Sequence, residues 1–302
     1  MHSLCKELIL YFLLYFKKVY LEMTNKIKTS LWTSLSARLQ LIKSTEGAHF
    51  NWLFLPGGPG LGSESLGMLT QILKLPGTLW HLDLPGDGSN KTSNDEEYFS
   101  HWSDALYEVV STLDNVILVA HSTGGMYVLA TPNLEKKIVG LVLMDSAPDA
   151  AWQKEFMEYV QTQSISQAQE LQEQYAKKPS NSLLKQVTIA AAPYSFTKKG
   201  LQKGISLLET LPFNYKTCEW SGKYFDSTYK AKWVPQKIPT LILAGEHDRI
   251  IPLKFFMNSR KFIRKNIIFH AIKDAGHFPW IENPKQIVHV FNEYFQFLQK
   301  TT

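Results

Sequence analysis

The most informative segment of the chain is Val116-Ile-Leu-Val-Ala-His-Ser-Thr-Gly-Gly125. It begins as an apolar run typical of a buried strand and continues into small residues that suit the start of a helix. Ala120-His-Ser-Thr-Gly124 matches the G-x-S-x-G motif, with Ala in place of the first Gly. In this motif the serine lies on a sharp strand-to-helix turn, so the residues two positions away must be small. We therefore predict that Ser122 lies on such a turn and acts as a nucleophile.

A serine hydroxyl attacks efficiently only when a base takes its proton and an acid orients that base. Two later residues suit these roles, because each comes just after a predicted strand. Asp248 follows strand Thr240–Ala244, and His277 follows strand Asn266–Ile272. Ligands of open α/β sheets bind at the carboxyl ends of the strands. We predict that His277 is the base and that Asp248 orients it, with Ser122 as the nucleophile.

Other residues near these positions leave alternatives open. Asp145 is the alternative acid, because it follows the predicted strand Ile138–Met144 at the same edge of the sheet. Asp274 precedes the predicted base by only three residues, so we expect it to cap the loop. His121 adjoins Ser122, but consecutive side chains on a sharp turn point in different directions. We therefore assign His121 a packing role.

Acyl transfer also needs hydrogen-bond donors for the negative charge that develops on the carbonyl oxygen. One donor is predicted to be the backbone N–H of Thr123, which follows the serine. A second donor is expected from Pro56-Gly-Gly-Pro-Gly60, the loop after strand His49–Leu55. Proline has no N–H. The candidate donors in this loop are therefore Gly57, Gly58 and Gly60.

Together these motifs resemble the α/β-hydrolase-fold serine hydrolases, over about residues 38–298. Gly57-Gly-Pro-Gly60 is similar to the H-G-G-P-G loop of proline iminopeptidases and their relatives. In those enzymes the second Gly is the oxyanion donor, so the resemblance assigns that role to Gly58. Asp83-Leu-Pro-Gly-Asp-Gly88 resembles the D-x-P-G-x-G turn of lidded members, and Asp274-Ala-Gly-His277 resembles their catalytic-histidine loop.

Three positions depart from the family pattern. Pro56 stands where the family usually has His, and Ala120 replaces the first Gly of the serine motif. Thr123 stands where proline iminopeptidases typically have Trp, which argues against peptidase activity. Ser122 in the nucleophile position excludes the relatives that use an aspartate nucleophile.

The order of apolar and amphipathic segments predicts the fold class. From about residue 38, strand-like and helix-like segments alternate, which predicts a mostly parallel α/β sheet with helices on both faces. The alternation stops over residues 148–237, which are helix-like and rich in aromatic residues. We predict an α/β-hydrolase fold with a core of residues 23–147 and 238–302 and a helical cap, 148–237, inserted after the sixth strand.

Residues 1–22 are predicted to be an extension outside this fold. Residues 8–16 form an apolar run as long as the core of a signal peptide, but no small-x-small cleavage site follows it. Three interpretations stay open: a true translation start at Met23, a helix that packs on the body or lies on a membrane, and an export signal. The expected location is cytoplasmic, with export or membrane association through residues 8–16 as the alternative.

The composition excludes several classes of protein. Of the 302 residues, 44% are hydrophobic and 13% aromatic, which argues against disorder. The net charge is +5, and its densest basic run alternates with phenylalanines at helical spacing. We interpret this run as the solvated face of an amphipathic helix and predict no nucleic-acid partner. Its residues are Lys254, Arg260, Lys261, Arg264 and Lys265.

The sequence shows no motif for a metal or an organic cofactor. Cys5 and Cys218 cannot form a disulfide framework, and paired Cys/His ligand spacings are absent. No G-x-G-x-x-G motif follows the first strand. We predict a serine hydrolase that needs no cofactor and acts on a small-molecule ester or amide with an acyl group, with esters favoured. A proline iminopeptidase-like aminopeptidase, a carbon–carbon bond hydrolase and a catalytically inactive binding protein are the alternatives.

Overall fold

The computed structural model describes residues 30–45, 49–91 and 99–301. Its strands are β1 (Ser30–Trp32), β2 (Arg38–Ser44), β3 (Asn51–Leu55), β4 (Thr78–Asp83), β5 (Val116–His121), β6 (Ile138–Met144), β7 (Thr240–Gly245) and β8 (Ile267–Ile272). They form one sheet in the order β1-β2-β4-β3-β5-β6-β7-β8. The pairs of β2 with β1 and with β4 are antiparallel, and the other neighbouring pairs are parallel. The predicted mostly parallel sheet is confirmed.

Helices connect these strands. They are α1 (Gly67–Ile72), α2 (Trp102–Ser111), α3 (Thr123–Ala130), α4 (Ala151–Thr162), α5 (Ser166–Lys177), α6 (Asn181–Ala190), α7 (Ala192–Ser195), α8 (Leu201–Leu208), α9 (Tyr215–Tyr224), α10 (Lys254–Met257), α11 (Pro279–Glu282) and α12 (Pro284–Thr301). Short 3-10 helices are formed by Ser63–Leu66, Leu134–Lys136, Asp226–Thr228 and Arg260–Phe262.

Two apolar layers cover the two faces of the sheet, and β5 shows why. Every residue of β5 is buried, because this central strand is covered on both sides. Leu118 points into the layer that contains Leu106 of α2, whereas Ile117 points into the layer that contains Phe291 of α12. This alternation confirms that helices pack on both faces.

The chain between β6 and β7 contains α4 to α9, which agrees with a helical insertion after the sixth strand. Two of these helices lie near the surface, since α4 has no buried residue and α6 has one, Leu184. The boundaries 148–237 stay a prediction.

The basic run at residues 254–265 does not form the single amphipathic helix that the sequence predicts. The chain forms α10 and then the separate 3-10 helix Arg260–Phe262, because Ser259 is extended between them. Phe256 and Phe262 are buried with their rings 4.8 Å apart. The basic side chains are exposed, as expected. Packing of the two phenylalanines therefore replaces helical periodicity in this segment.

Residues 1–22, with the apolar run 8–16, lie outside the described residues, so the predictions made for them stay predictions. Strand β1 was not predicted from the sequence. Within the described ranges, no helix combines the length and the hydropathy that crossing a bilayer would require.

We expect Gly140→Ala to destabilise the fold. A Cβ at Gly140 in β6 would lie 2.4 Å from Tyr294 Oη and 3.0 Å from Leu298 Cδ1 of α12. Forcing a methyl group into such a packed contact costs about 1–3 kcal/mol. Urea unfolding measures the loss.

Gly222→Ala is the matched control. Gly222 lies on α9, and a Cβ there would meet no atom within 4 Å. Alanine should stabilise an exposed helix by roughly 0.5–1 kcal/mol relative to glycine. Equal effects of the two substitutions would contradict the close contact between β6 and α12.

Candidate active site

Ser122 lies on a tight turn between β5 and α3. Its backbone angles, φ 53° and ψ −126°, are strained for a residue with a side chain. Its N–H donates to Met144 O at 2.8 Å, so the turn is fixed to β6. The sharp strand-to-helix turn expected from the sequence is present.

The chain packs so closely around this turn that two glycine positions have no room for a side chain. A Cβ on Gly57 would lie 2.4 Å from Ser122 Cβ, and a Cβ on Gly124 would lie 2.3 Å from Pro56 O. Both approaches are closer than real Cβ contacts. The glycine-rich loop after β3 therefore packs directly against the serine turn.

The three predicted catalytic residues come together. His277 Nε2 lies 3.0 Å from Ser122 Oγ, and His277 Nδ1 lies 3.0 Å from Asp248 Oδ2. All three side chains are buried. Because an ionised carboxylate only accepts hydrogen bonds, Nδ1 carries the proton and Nε2 is free to accept the serine proton.

Asp248 is held as an anion. Its Oδ1 accepts the N–H groups of Ile250 at 2.9 Å and Ile251 at 3.1 Å. Burial alone would raise the pKa of Asp248, but the charge and hydrogen bond of His277 and these two N–H groups hold that pKa below its usual value. The carboxylate is thus ionised where it faces the imidazole.

Asp145, the alternative acid, occupies a different position. Its Oδ1 accepts the N–H of Gly245 at 2.9 Å, and its Oδ2 has no hydrogen-bond partner among the described residues. Burial and the neighbouring charge of Asp248 raise the pKa of Asp145 well above its usual value. His277 donates to Asp248, and the raised pKa of Asp145 favours its neutral form beside this pair.

His121 supports His277 from the other side. Its Nε2 lies 2.9 Å from His277 O, and the two ring centroids are 4.8 Å apart. The ring of Trp280 meets His121 edge to face at 4.9 Å. Burial, followed by the neighbouring His277, lowers the pKa of His121 to about 3, so this ring is neutral. The contacts agree with the expected packing role.

Hydrogen bonds join the loop of His277 to the helical insertion. The N–H of His277 donates to Ser195 O at 2.8 Å. Glu282 accepts the N–H of Gly276 at 2.6 Å on one oxygen and the N–H of Thr197 at 2.9 Å on the other. One carboxylate therefore joins the histidine loop to the segment after α7.

The two predicted oxyanion donors lie on adjoining segments. Gly58 has φ +60°, a conformation that favours glycine, and Thr123 is the first residue of α3. The first N–H groups of a helix have no intrahelical acceptor. Gly57 links the segments, because its Cβ position is 2.9 Å from Thr123 N.

A narrow pocket lies beside the serine turn, with Gly57 and Thr123 in its wall. Its free volume is about 10 Å³, which is room for about one water molecule. The aromatic residues of the wall are Phe99, Trp102, Tyr127 and Trp220. Trp102 and Trp220 also line a wider outer groove of about 470 Å³.

Asp87 is the one carboxylic acid among the described residues that line the pocket. Its Oδ1 accepts the N–H groups of Gly60 at 2.8 Å and Gly62 at 3.3 Å. Burial and the nearby charge of Asp83 raise the pKa of Asp87 to about 8. This residue was not predicted from the sequence, although an acid between two glycines just after β4 was a signal for it.

Asp83 anchors the same turn through a buried ion pair. Arg38 Nη2 lies 2.7 Å from Asp83 Oδ2, and the N–H of Ser63 donates to Asp83 Oδ1 at 2.7 Å. These bonds join β2, the end of β4 and the segment after the glycine-rich loop. The Asp83-to-Gly88 turn is therefore structural at its first residue and faces the pocket at Asp87.

Two groups of side chains have an arrangement that a metal ion could use. One consists of Asp145, Asp248 and His277, and the other of Glu246, His247 and Asp274. The first is already occupied by the hydrogen bond between His277 and Asp248. The second is exposed, and exposed acidic groups are common without an ion.

Comparisons with known proteins identify the family to which the chain is similar. Residues 52–290 match the model of the family described as alpha/beta hydrolase family. A Mycoplasma pneumoniae protein named "Putative esterase/lipase 2" is 23% identical over 83% of this chain and 90% of the relative. A Mycoplasma genitalium protein of the same name is 27% identical over 72% of this chain and 78% of the relative.

Solved structures show the same fold. A proline iminopeptidase-related protein from Thermus thermophilus superposes with a TM-score of 0.68 at 16% identity, covering 91% of this chain and 99% of that chain. A thermophilic esterase from Thermogutta terrifontis superposes with a TM-score of 0.63 at 16% identity and the same coverage. At such identities the likeness shows the fold alone.

We expect Asp87→Asn to stabilise the protein at pH 8. The pKa of Asp87 is about 8 in the folded protein, whereas its ordinary value is 3.8. At a pH between these two values, the folded state keeps a proton that the unfolded chain has lost. Stability is therefore lost as pH rises through this interval. Asparagine keeps the acceptor for Gly60 and Gly62 without the ionisation. The gain at pH 8 should exceed about 1.4 kcal/mol, the value of one pKa unit.

Urea unfolding of both proteins at pH 4 and pH 8 checks this expectation. The difference should shrink towards pH 4, where the aspartate is protonated in both states. Asp104→Asn is the control, since Asp104 is exposed on α2. A variant that is less stable than wild type only at pH 8 would show that the Asp87 anion is stabilising.

Proposed function

The chain belongs to the alpha/beta hydrolase family, and we propose that it is a serine hydrolase that cleaves small carboxylic esters. One observation carries this proposal: the buried hydrogen bonds that join Ser122 Oγ to His277 and His277 to Asp248, each at 3.0 Å. This is the arrangement that a nucleophilic serine requires.

In the proposed reaction Ser122 Oγ attacks the ester carbonyl while His277 Nε2 takes the hydroxyl proton. The tetrahedral intermediate collapses, the bond to the alcohol breaks, and His277 returns the proton to the leaving oxygen. Water then attacks the acyl-enzyme with His277 as base, which releases the acid and free Ser122. Asp248 keeps Nδ1 protonated and stabilises the imidazolium that forms.

We assign the oxyanion site to the N–H groups of Gly58 and Thr123. The N–H of Thr123 lies at the amino end of α3, where the helix dipole favours negative charge. Gly57 supports this assignment, because its contact with Ser122 Cβ holds the glycine-rich loop against the turn. Each such donor contributes about 3 kcal/mol to the transition state.

Three observations favour esters over peptides. The Mycoplasma relatives are named as esterase or lipase. The pocket beside Ser122 is narrow and mostly apolar or aromatic, which suits a small acyl or alcohol group better than a peptide. Thr123 in place of the tryptophan of iminopeptidases points the same way.

We expect a fluorophosphonate probe to label the folded wild-type protein at Ser122. Ser122→Ala should lose labelling and should lose ester hydrolysis by at least about 10³-fold, because the attacking group is removed. Mass spectrometry locates the label, and kcat/KM on short 4-nitrophenyl esters measures the loss.

The same panel should contain a proline arylamide and an aryl thioester. Faster turnover of the arylamide than of the esters would replace the esterase proposal with aminopeptidase activity. Labelling that persists in Ser122→Ala would contradict the assignment of the nucleophile.

We expect Asp248→Asn to reduce kcat by about 10³–10⁴-fold, because an amide no longer selects the productive tautomer of His277. Asp145→Asn is the matched control: its amide oxygen can still accept from Gly245, and a neutral carboxyl is replaced by a neutral amide. The control should lose less than about tenfold. The reverse order of effects would make Asp145 the orienting acid.

A further inference from the structure

The pocket beside Ser122 contains a carboxyl group that the proposed mechanism does not use. Asp87 is only 6% exposed, yet its side chain lines the pocket together with Gly57 and Thr123. It follows β4 and so lies at the same edge of the sheet as the candidate catalytic residues.

The two oxygens of this carboxyl group have different surroundings. Oδ1 accepts the N–H groups of Gly60 and Gly62. Oδ2 accepts no hydrogen bond from any of the described residues. Because Asp87 lines the pocket, its carboxyl group can meet a group that enters there.

Two hydroxyl groups of the pocket wall donate to other atoms and not to Asp87 Oδ2. Thr217 Oγ1 donates to Gly86 O at 2.7 Å. Tyr127 Oη donates to Ser221 Oγ at 3.1 Å. These two hydroxyl groups therefore leave Oδ2 available to a group that enters the pocket.

The size and the walls of the pocket limit what that donor is. The free volume of about 10 Å³ admits a group as small as water. A hydroxyl or an ammonium group meets this limit and donates hydrogen bonds. The aromatic walls formed by Phe99, Trp102 and Trp220 also suit a cation, which is attracted to the faces of such rings.

The environment of Asp87 makes an ionised carboxyl group energetically costly. Asp83 and Glu64 lie nearby, and burial with their charges raises the pKa of Asp87. An asparagine would accept the same two N–H groups without this cost. Strongly perturbed carboxyl groups in a cleft are typical of functional positions.

We propose that Asp87, in its ionised form, selects substrates that carry a hydroxyl or ammonium group, by accepting a hydrogen bond from that group on Oδ2. The inference rests on the proposed function and names the substrate class of the same site. Asp87 is then a specificity-determining residue, whereas Ser122, His277 and Asp248 perform the chemistry.

The test compares esters that differ in one terminal group. One series consists of 4-nitrophenyl esters that vary in the acyl chain, and the other consists of alkyl esters that vary in the alcohol. The varied chain has two to six carbons. It ends in a hydroxyl, an ammonium or a methyl group. We expect wild type to hydrolyse the hydroxyl or ammonium ester at least tenfold faster, in kcat/KM, than its methyl counterpart at one chain length. The hydroxyl and ammonium arms distinguish a neutral donor from a cation.

Asp87→Asn should reduce this ratio at least tenfold, because it places an amide N–H₂ group where the acceptor was. The ratio is the readout, since it cancels any change in the amount of active enzyme. The exposed Asp104→Asn variant should keep the wild-type ratio.

Each outcome has a separate meaning. Ester hydrolysis by wild type without any preference for donor groups overturns the inference and leaves the proposed function intact. A preference that persists in Asp87→Asn also overturns it, because another residue then binds the donor. No hydrolysis of any ester, together with no fluorophosphonate label on Ser122, overturns the proposed function and the inference with it.

Discussion

The strained backbone of Ser122 is the constraint on which the candidate site depends. A residue with a side chain occupies φ 53° there, at a cost of about 1–3 kcal/mol. The strain is held by backbone contacts, namely the bond from Ser122 N–H to Met144 O and the close approach of Gly57 and Gly124 to their neighbours. The position of the hydroxyl group is thus set by the central strands of the sheet and not by flexible side chains.

The parallel part of the sheet explains how distant segments meet at this turn. The ends of β3, β4, β5, β7 and β8 supply, in that order, the glycine-rich loop, Asp87, Ser122, Asp248 and His277. Neighbouring parallel strands end at one edge, so each needs only a short loop to reach the site. The antiparallel strands β1 and β2 lie at the end of the strand order that is opposite β8. Arg38 of β2 contacts Asp83 at the end of β4.

The sequence predicts the parts of the molecule that have a local signal. Ser122 lies within a motif, and Asp248 and His277 each follow a run of apolar residues, so their positions at strand ends are readable. Ser195 and Glu282 have no such signal: their roles come from contacts with residues far along the chain, such as the bond from His277 to Ser195. The basic run near Lys254 was misjudged because spacing alone does not reveal that Phe256 and Phe262 pack on each other.

The hydrogen bonds between the histidine loop and the helical insertion determine which part of the protein could be exchanged as a unit. Because Ser195 O holds the N–H of His277 and Glu282 bridges Gly276 to Thr197, the segment after α7 is part of the scaffold of the base. A helical insertion transplanted from another protein would have to reproduce these bonds to keep the imidazole in place. The interchangeable unit is therefore not the insertion alone but the insertion together with the loop from Gly276 to Glu282.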